Sequence, residues 1–323
     1  MTLLSEASFL VTPNGYKEDK LYAAIPTNGN GDMTFTRATP ATRVDENDLI
    51  SSVASNIPRI DYTGGGCPSI LLEPLRTNIV LNSATVVTQT ITTAAVANTL
   101  SFYGTGTITL SGTFAEALVG TGATNRVSLT FTPTAGSLVL TVSGTCTNGQ
   151  LEAGAYPTSY IPTTTIDVQR DADVINRDDI YANNLITDDG GTWFVHLINN
   201  VVVLRDTSDV GLFIGNSSNG FTGDVLAIRN NGTNRLSINK RIAGSQTQLY
   251  TTTTDHVKVA IKWNGATADV FVNGAPVVSA TSFTTTDMEF FRWTGEDVSK
   301  YIKQMALFPT PLSDPECIAL TTL

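Results

Sequence analysis

From about Val80 to Thr165 the chain is cut by Gly, Thr and Asn into short segments of β-branched and aromatic residues, at intervals of roughly 8–12 residues. That spacing leaves little room for helices and commits the chain to strands joined by tight turns. In residues 80–165 the segments are Val86–Thr92, Leu100–Tyr103, Thr107–Leu110, Arg126–Phe131 and Leu138–Ser143. Within the last, Leu138, Leu140 and Val142 fall on one face of a strand while Val139 and Thr141 fall on the other. Further strands are expected at Trp193–Leu197, Gly211–Gly215 and Val225–Arg229. The clearest hairpin reads HVKVAIKWNGATADVFVNGAPV. Val257, Val259, Ile261 and Trp263 line one face; His256, Lys258, Ala260 and Lys262 line the other. Asn264-Gly265 is predicted as a type I′ turn, Asn273-Gly274 makes the next turn, and Asn231-Gly232 sits in a similar place between LAIR and LSIN. A strand to Phe308 precedes a short C-terminal helix with Ser313 as N-cap and Glu316 completing a capping box. Pro315 is tolerated in its first turn, where a missing donor costs nothing.

Residues 1–57 are less regular. Apolar clusters such as Leu21–Ile25 are interrupted by Pro13, Pro26, Pro40 and the Asn28-Gly29-Asn30-Gly31 turn. Short β-type alternation appears in TFTRATPATRV and again at Leu49–Val53. This region cannot easily close a core alone, so it reads as an arm that packs on its own body or on another subunit. Pro58–Ser83 joins it to the rest. Gly64-Gly65-Gly66 reads as a sharp loop, and Pro68 and Pro74 bracket a buried strand around Ile70, Leu71 and Leu72. Arg76, three residues after Glu73, is expected to hold that carboxylate with its guanidinium fork. Residues 165–184 are polar and acidic and read as a solvated connector.

The net charge of −10 and the lack of a Lys/Arg cluster argue against nucleic acid. Cys67, Cys146 and Cys317 are odd in number and widely spaced, with neither a disulfide framework nor a zinc pattern. MTLLSEASFLV lacks the features of a signal peptide, and no apolar run approaches the ~18–20 residues of a membrane span. Folding in a cytoplasm, without membrane insertion, is the expectation.

Several strings carry a resemblance. PRIDY…CPSILLEPLRTNIVLNS and TFTRATPATRV resemble the junction and arm of tailed-bacteriophage virion proteins of the fibre and decoration type. NGQLEAGAYPTSYIPT resembles the closing strand of their carbohydrate-binding-module-like jelly rolls. WNGATADVFVNG and MALFPTPLSDPECIAL resemble laminin-G or concanavalin A-like domains. The expected fold is all-β, with two antiparallel jelly-roll or β-sandwich domains behind an irregular N-terminal arm and one short C-terminal helix. The expected division is an attachment and oligomerisation arm with junction, 1–79, a carbohydrate-binding-module-like jelly roll, 80–165, and a concanavalin A-like sandwich, 166–323. The resemblance implies a virion component assembled in the host cytoplasm and contacting other virion proteins through its arm. An arm without its own core must bury its apolar clusters somewhere, so a homo-oligomer, dimer or trimer, is expected.

No catalytic residue is expected. Glycosidases need two carboxylates facing each other at roughly 5–10 Å, and the alternating E-x-D-x-x-E motif of related glucanases is absent; Asp287-Met288-Glu289 is the nearest string. Asp188-Asp189 before Gly190-Gly191 reads as a turn. His196 and His256 read as a sheet residue and a strand opener rather than as base or ligand. The candidate glycan-binding residues are Trp293 with Arg292, and Tyr103, weighed against a core role for Trp293 like that expected of Trp193 and Trp263. No cofactor is expected; Asp171, Asp173 and Asp178 are weak calcium candidates without an EF-hand pattern. The function expected is structural, by binding, in a head or tail fibre or decoration protein that contacts host glycans. A tail-fibre host-glycan adhesin is the alternative, and a polysaccharide depolymerase a more distant one.

Overall fold

In the computed structural model, which describes residues 3–187, 190–198, 211–217, 223–231, 234–283, 288–294 and 299–323, the chain is almost wholly antiparallel β with one C-terminal α-helix, Asp314–Thr321. Two large sheets face each other. The first runs, edge to edge, Ala275–Ser282, Thr267–Val272, Val257–Trp263, Gly191–Ile198, Lys300–Phe308, Ser69–Leu72 and Arg59–Asp61, with Phe9–Val11 also paired to Lys300–Phe308. The second runs Tyr16–Lys17, Lys20–Leu21, Met33–Thr36, Val174–Asp178, Phe290–Thr294, Leu212–Gly215, Val225–Asn231, Asn234–Ile242 and Ser245–Thr252. Their facing sides form one apolar core that includes Val257, Val259, Ile261, Trp263, Trp193 and Trp293.

N-terminal strands enter both sheets. Phe9 pairs with Leu307, Phe35 with Ile175, and Ile70 with Ile302. Phe9, Val11, Leu21, Met33 and Phe35 are all fully buried in the same core as the C-terminal strands. The apolar clusters that interrupt residues 1–57 are therefore covered within the chain.

Residues from Gln89 to Ala153 form a separate pair of sheets. One has the order Gln89–Thr93, Gly136–Ser143, Thr107–Gly112, Glu116–Val119; the other has Gly122–Phe131, Asn98–Gly104, Cys146–Ala153. Leu138 and Leu140 enter its core with Phe102, Ile108 and Leu151, as the alternation in SLVLTVSG predicts.

The outer face of the first large sheet carries a smaller apolar cluster. Phe194, Ala260, Phe271 and Ala306 are covered there by the terminal helix through Cys317 and by Leu312. This explains why Ala260, on the polar face of its hairpin, is small and buried. Glu316 accepts hydrogen bonds from the Ser313 N–H (2.8 Å) and hydroxyl (2.6 Å), which hold its carboxyl below the usual range. The two predicted hairpin turns differ. Asn273 and Gly274 both have positive φ (48° and 80°) and join Val272 directly to Ala275, as a type I′ turn requires. At Asn264-Gly265 only Gly265 is left-handed; the Asn264 side chain instead accepts from the Ala266 and Thr267 N–H groups and closes a longer loop. The turns expected at Asp188-Asp189 and at Gly232, and Asp287, lie outside the described residues. Among the described residues no helix is long and apolar enough to cross a membrane.

Candidate functional site

The polar stretches that the sequence offers as joints meet inside the molecule. Ser69–Leu72 is buried at all four positions, and the chain leaving it places Glu73 below the surface at 1% exposure. Arg59 from the paired strand, Arg170 and Asp173 from the expected connector, and Arg37 from the arm are equally buried. Arg59 reaches both acids: its Nη1 lies 2.7 Å from Glu73 Oε2 and its Nη2 bonds Asp173 Oδ2. Arg170 Nη1 lies 2.8 Å from Glu73 Oε2, and Arg37 Nη1 2.8 Å from Asp173 Oδ1. Main-chain bonds lock the same residues, with Glu73 N donating to Asp173 Oδ2 at 2.8 Å and Asp173 N to the Glu73 carbonyl at 2.9 Å.

This arrangement corrects two expectations. Glu73 is held by Arg59 and Arg170, while Arg76 turns to Glu152 at 3.9 Å. Residues 165–184 are no solvated linker: Val168–Arg170 pairs with Arg76–Asn78, Val174–Asp178 enters the second large sheet, and Arg170 and Asp173 are 0% exposed.

The closing string of the jelly roll supplies the remaining donors. Ser159 donates its N–H (2.8 Å) and hydroxyl (2.6 Å) to Glu73. Glu152 accepts from Gln150 Nε2, Thr158 N and Thr158 Oγ1 at 2.6–2.8 Å, and Gln150 Oε1 accepts from Ile161 N at 2.6 Å. Tyr160 OH meets Ser83 Oγ at 2.6 Å, and Asn78 Nδ2 donates to the Gly149 and Ile161 carbonyls. Gly154 has φ +147°, a conformation that disfavours any side chain, and a Cβ there would also crowd the Arg76 guanidinium at 3.0 Å from Nε.

Burial alone pushes the Glu73 carboxyl up, but Arg170, Arg59 and the two Ser159 hydrogen bonds outweigh it and hold it at about 2. Burial would lower the Arg59 guanidinium; Asp173 and Glu73 reverse that and raise it. For Arg170 burial prevails, and for Arg37 likewise, so both are lowered. Saturated with donors and sealed from solvent, these carboxylates can neither bind a ligand nor exchange protons with one. Their chemistry is mechanical. Removing one partner strands an opposite charge in the interior, which costs about 3–5 kcal/mol.

The glycan-binding candidates do not form one site. Trp293 is 1% exposed and lies in the large core, so it presents no face to a sugar; this corrects its candidacy. Its neighbour Phe291 packs edge-on against Trp193, with ring centroids 5.7 Å apart. Arg292, on the opposite side of the strand, is committed to Asp178 through Nε (3.0 Å) and Nη2 (2.7 Å) and lies 5.0 Å from the Phe290 ring centroid. Tyr103 stands half-buried in the small jelly roll, across the strand pair from Arg126. The calcium candidates are also dispersed: Asp173 is in the buried junction, Asp178 holds Arg292, and Asp171 accepts from Gln169 Nε2 at 3.0 Å. Among the described residues no group of three or more His, Cys, Asp or Glu side chains is placed to hold a metal ion.

Two features went unread in the sequence. A cleft of about 660 Å³ is lined by Asp45, Glu46, Asp48, Tyr62 and the Gly64–Gly66 loop, whose three glycines have φ between 74° and 87°. Asp45 there serves its own turn, accepting from Asn47 N and Leu49 N. The second feature is the meeting of His196 with His256, whose Nε2 atoms lie 2.5 Å apart. Strand parity puts His196 on an outward face, but no local signal gives the register that brings His256 beside it.

Comparison with protein-family models and with curated proteins gives no match. Among solved structures, a Trypanosoma rangeli sialidase aligns over 42% of this chain and 23% of its own, with 13% identity and a TM-score of 0.34. Domain 4 of AbnA, a GH43 extracellular arabinanase from Geobacillus stearothermophilus, aligns over 47% and 73%, with 13% identity and a TM-score of 0.35. The CBM40 of a Ruminococcus gnavus sialidase aligns over 41% and 83%, with 15% identity and a TM-score of 0.32. The chain thus spans about a quarter of the sialidase it aligns with. Likenesses of this depth transfer neither activity nor ligand.

Proposed function

We propose that this protein is a structural component of a tailed-bacteriophage particle, a head- or tail-fibre or decoration protein that works by binding rather than by catalysis. One observation carries the reading. The residues that bear the resemblance to phage junctions and jelly-roll closures (Arg59, Glu73, Asn78, Gln150, Glu152, Ser159) are the residues that build the buried joint. Side chains that serve as a buried brace suit a part whose task is to hold modules at a fixed angle. Catalysis has no support in the joint, because its carboxylates are buried and saturated.

Attachment to other virion proteins falls, on this reading, to the exposed part of the arm around the hairpin Ala41–Val44 and Ile50–Val53 and the Gly64–Gly66 loop. Homo-oligomerisation as a dimer or trimer is part of the proposal and rests on the resemblance, since the arm's apolar residues are covered within the chain. Immunogold labelling of purified particles tests the reading. Label on the capsid or tail supports it and distinguishes head from tail; particles without label would refute it.

The second reading is a host-glycan adhesin, and it rests on Tyr103, the aromatic candidate that is only half-buried. Retention on host polysaccharide that falls with Tyr103→Ala at unchanged melting temperature would support it. Absence of retention by the parent protein would remove it, and reducing ends released from the polysaccharide would instead point to a depolymerase.

A further inference from the structure

The chain contains two histidines, and the fold brings them into contact. His196 lies on the strand Gly191–Ile198 between Val195 and Leu197, both of which point into the large core, so its own side chain is on the outer face. His256 immediately precedes the neighbouring strand, in which Val257 pairs with Leu197 and Lys258 with His196. The two rings lie nearly in one plane, 9° apart, and meet edge to edge: their centroids are 4.8 Å apart and their Nε2 atoms face each other between them at 2.5 Å.

Two identical ring nitrogens that face each other can share one proton at most, so at least one presents a lone pair. The same convergence suits two ligands of a single ion. With metal–nitrogen bonds of about 2.0–2.1 Å and tetrahedral geometry, the two nitrogens must separate to about 3.3 Å and one ring must turn so that both aim at a single point. The exposed His256 can supply that movement. The nearby ammonium groups are engaged elsewhere, Lys258 with the Thr322 carbonyl at 2.7 Å and Lys303 with the Cys67 and Pro68 carbonyls. Imidazole binds metals in its neutral form, through the ring nitrogen that carries no proton.

We propose that His196 and His256 form an open binding site for a divalent transition-metal ion of the zinc or nickel type, held through both Nε2 atoms with water completing its shell. Imidazole is a suitable ligand for this class. With two protein ligands and two lysines close by, the site is weaker than a closed four-ligand one.

The test is calorimetric titration of the full chain with Zn²⁺ and, separately, with Ni²⁺. One saturable equivalent is expected, with a metal-dependent rise in melting temperature. Loss of an orienting partner typically weakens a metal site roughly 10- to 100-fold, so loss of a ligand in His196→Ala or His256→Ala should weaken binding at least about tenfold. His256 is exposed, so His256→Ala should keep the metal-free melting temperature of the parent and remain interpretable if His196→Ala does not fold. Cys67→Ser, which removes the exposed thiol nearest Lys303, should bind like the parent. Absence of a saturable equivalent, binding unchanged in His256→Ala, or binding lost in Cys67→Ser would each overturn the proposal.

Discussion

The large sandwich and the junction beside it are both sealed from water, yet they hold the chain together by opposite means. Between the two large sheets the contacts are apolar, from Phe9 and Phe35 of the arm to Trp193, Trp263 and Trp293 of the C-terminal half. Such contacts are strong but non-directional, so they bring sheets together without fixing one orientation tightly. At the junction three guanidinium groups and two carboxylates are buried side by side, each reached by partners from other segments. A charged network has few satisfactory geometries. The two regions divide the labour: apolar burial supplies cohesion, and the charges set the angle at which arm, jelly roll and connector meet.

The largest expected effects are at the centre of each region. Arg59→Met leaves Glu73 and Asp173 each short of a partner and should cost about 3–5 kcal/mol in urea unfolding. Trp293→Ala opens the apolar core and should cost a similar amount, about 3–5 kcal/mol. The two separate by pH dependence, which the second variant should retain in full.

That pH dependence is the next effect. Because the folded-state Glu73 carboxyl lies near 2, below the ordinary value of about 4.3, its contribution is fully present above about pH 5. It is lost as pH falls from about 5 to 2, and amounts to on the order of 3 kcal/mol. His196, lowered to about 4, also withdraws stability as pH falls, beginning near its ordinary value of about 6.5. Glu73→Gln should therefore flatten the acid end of the stability profile and leave its upper part, while His196→Ala should do the reverse. A Glu73→Gln variant with an unchanged acid profile would show that the buried charges do not set the stability of the junction. The smallest effect is near the surface: the partly buried Arg292–Asp178 pair should contribute no more than about 1 kcal/mol, measured on Arg292→Ala.

Much of the apolar half was readable from the chain. Alternation placed Val257, Val259, Ile261 and Trp263 on the core face, and the Ser313–Glu316 spacing gave the start of the helix. Parity could also have placed Trp293: Phe291 and Trp293 share one side of their strand, with Arg292 on the other. The charged half was not readable. Nearness in sequence pointed Arg76 at Glu73, whereas the partners come from Arg59 and from Arg170 in a distant segment. Residues 165–184 look solvated because a buried, paired acid and an exposed one have the same composition. The histidine contact depends on register between two strands, which no local pattern specifies.

Differential scanning calorimetry of the full chain and of Arg59→Met tests the central claim most directly. If the buried charges couple the jelly roll to the large sandwich, the parent melts in one cooperative transition, and the variant melts earlier and in two resolved steps. A variant that melts in one step at the parent's temperature would contradict the claim.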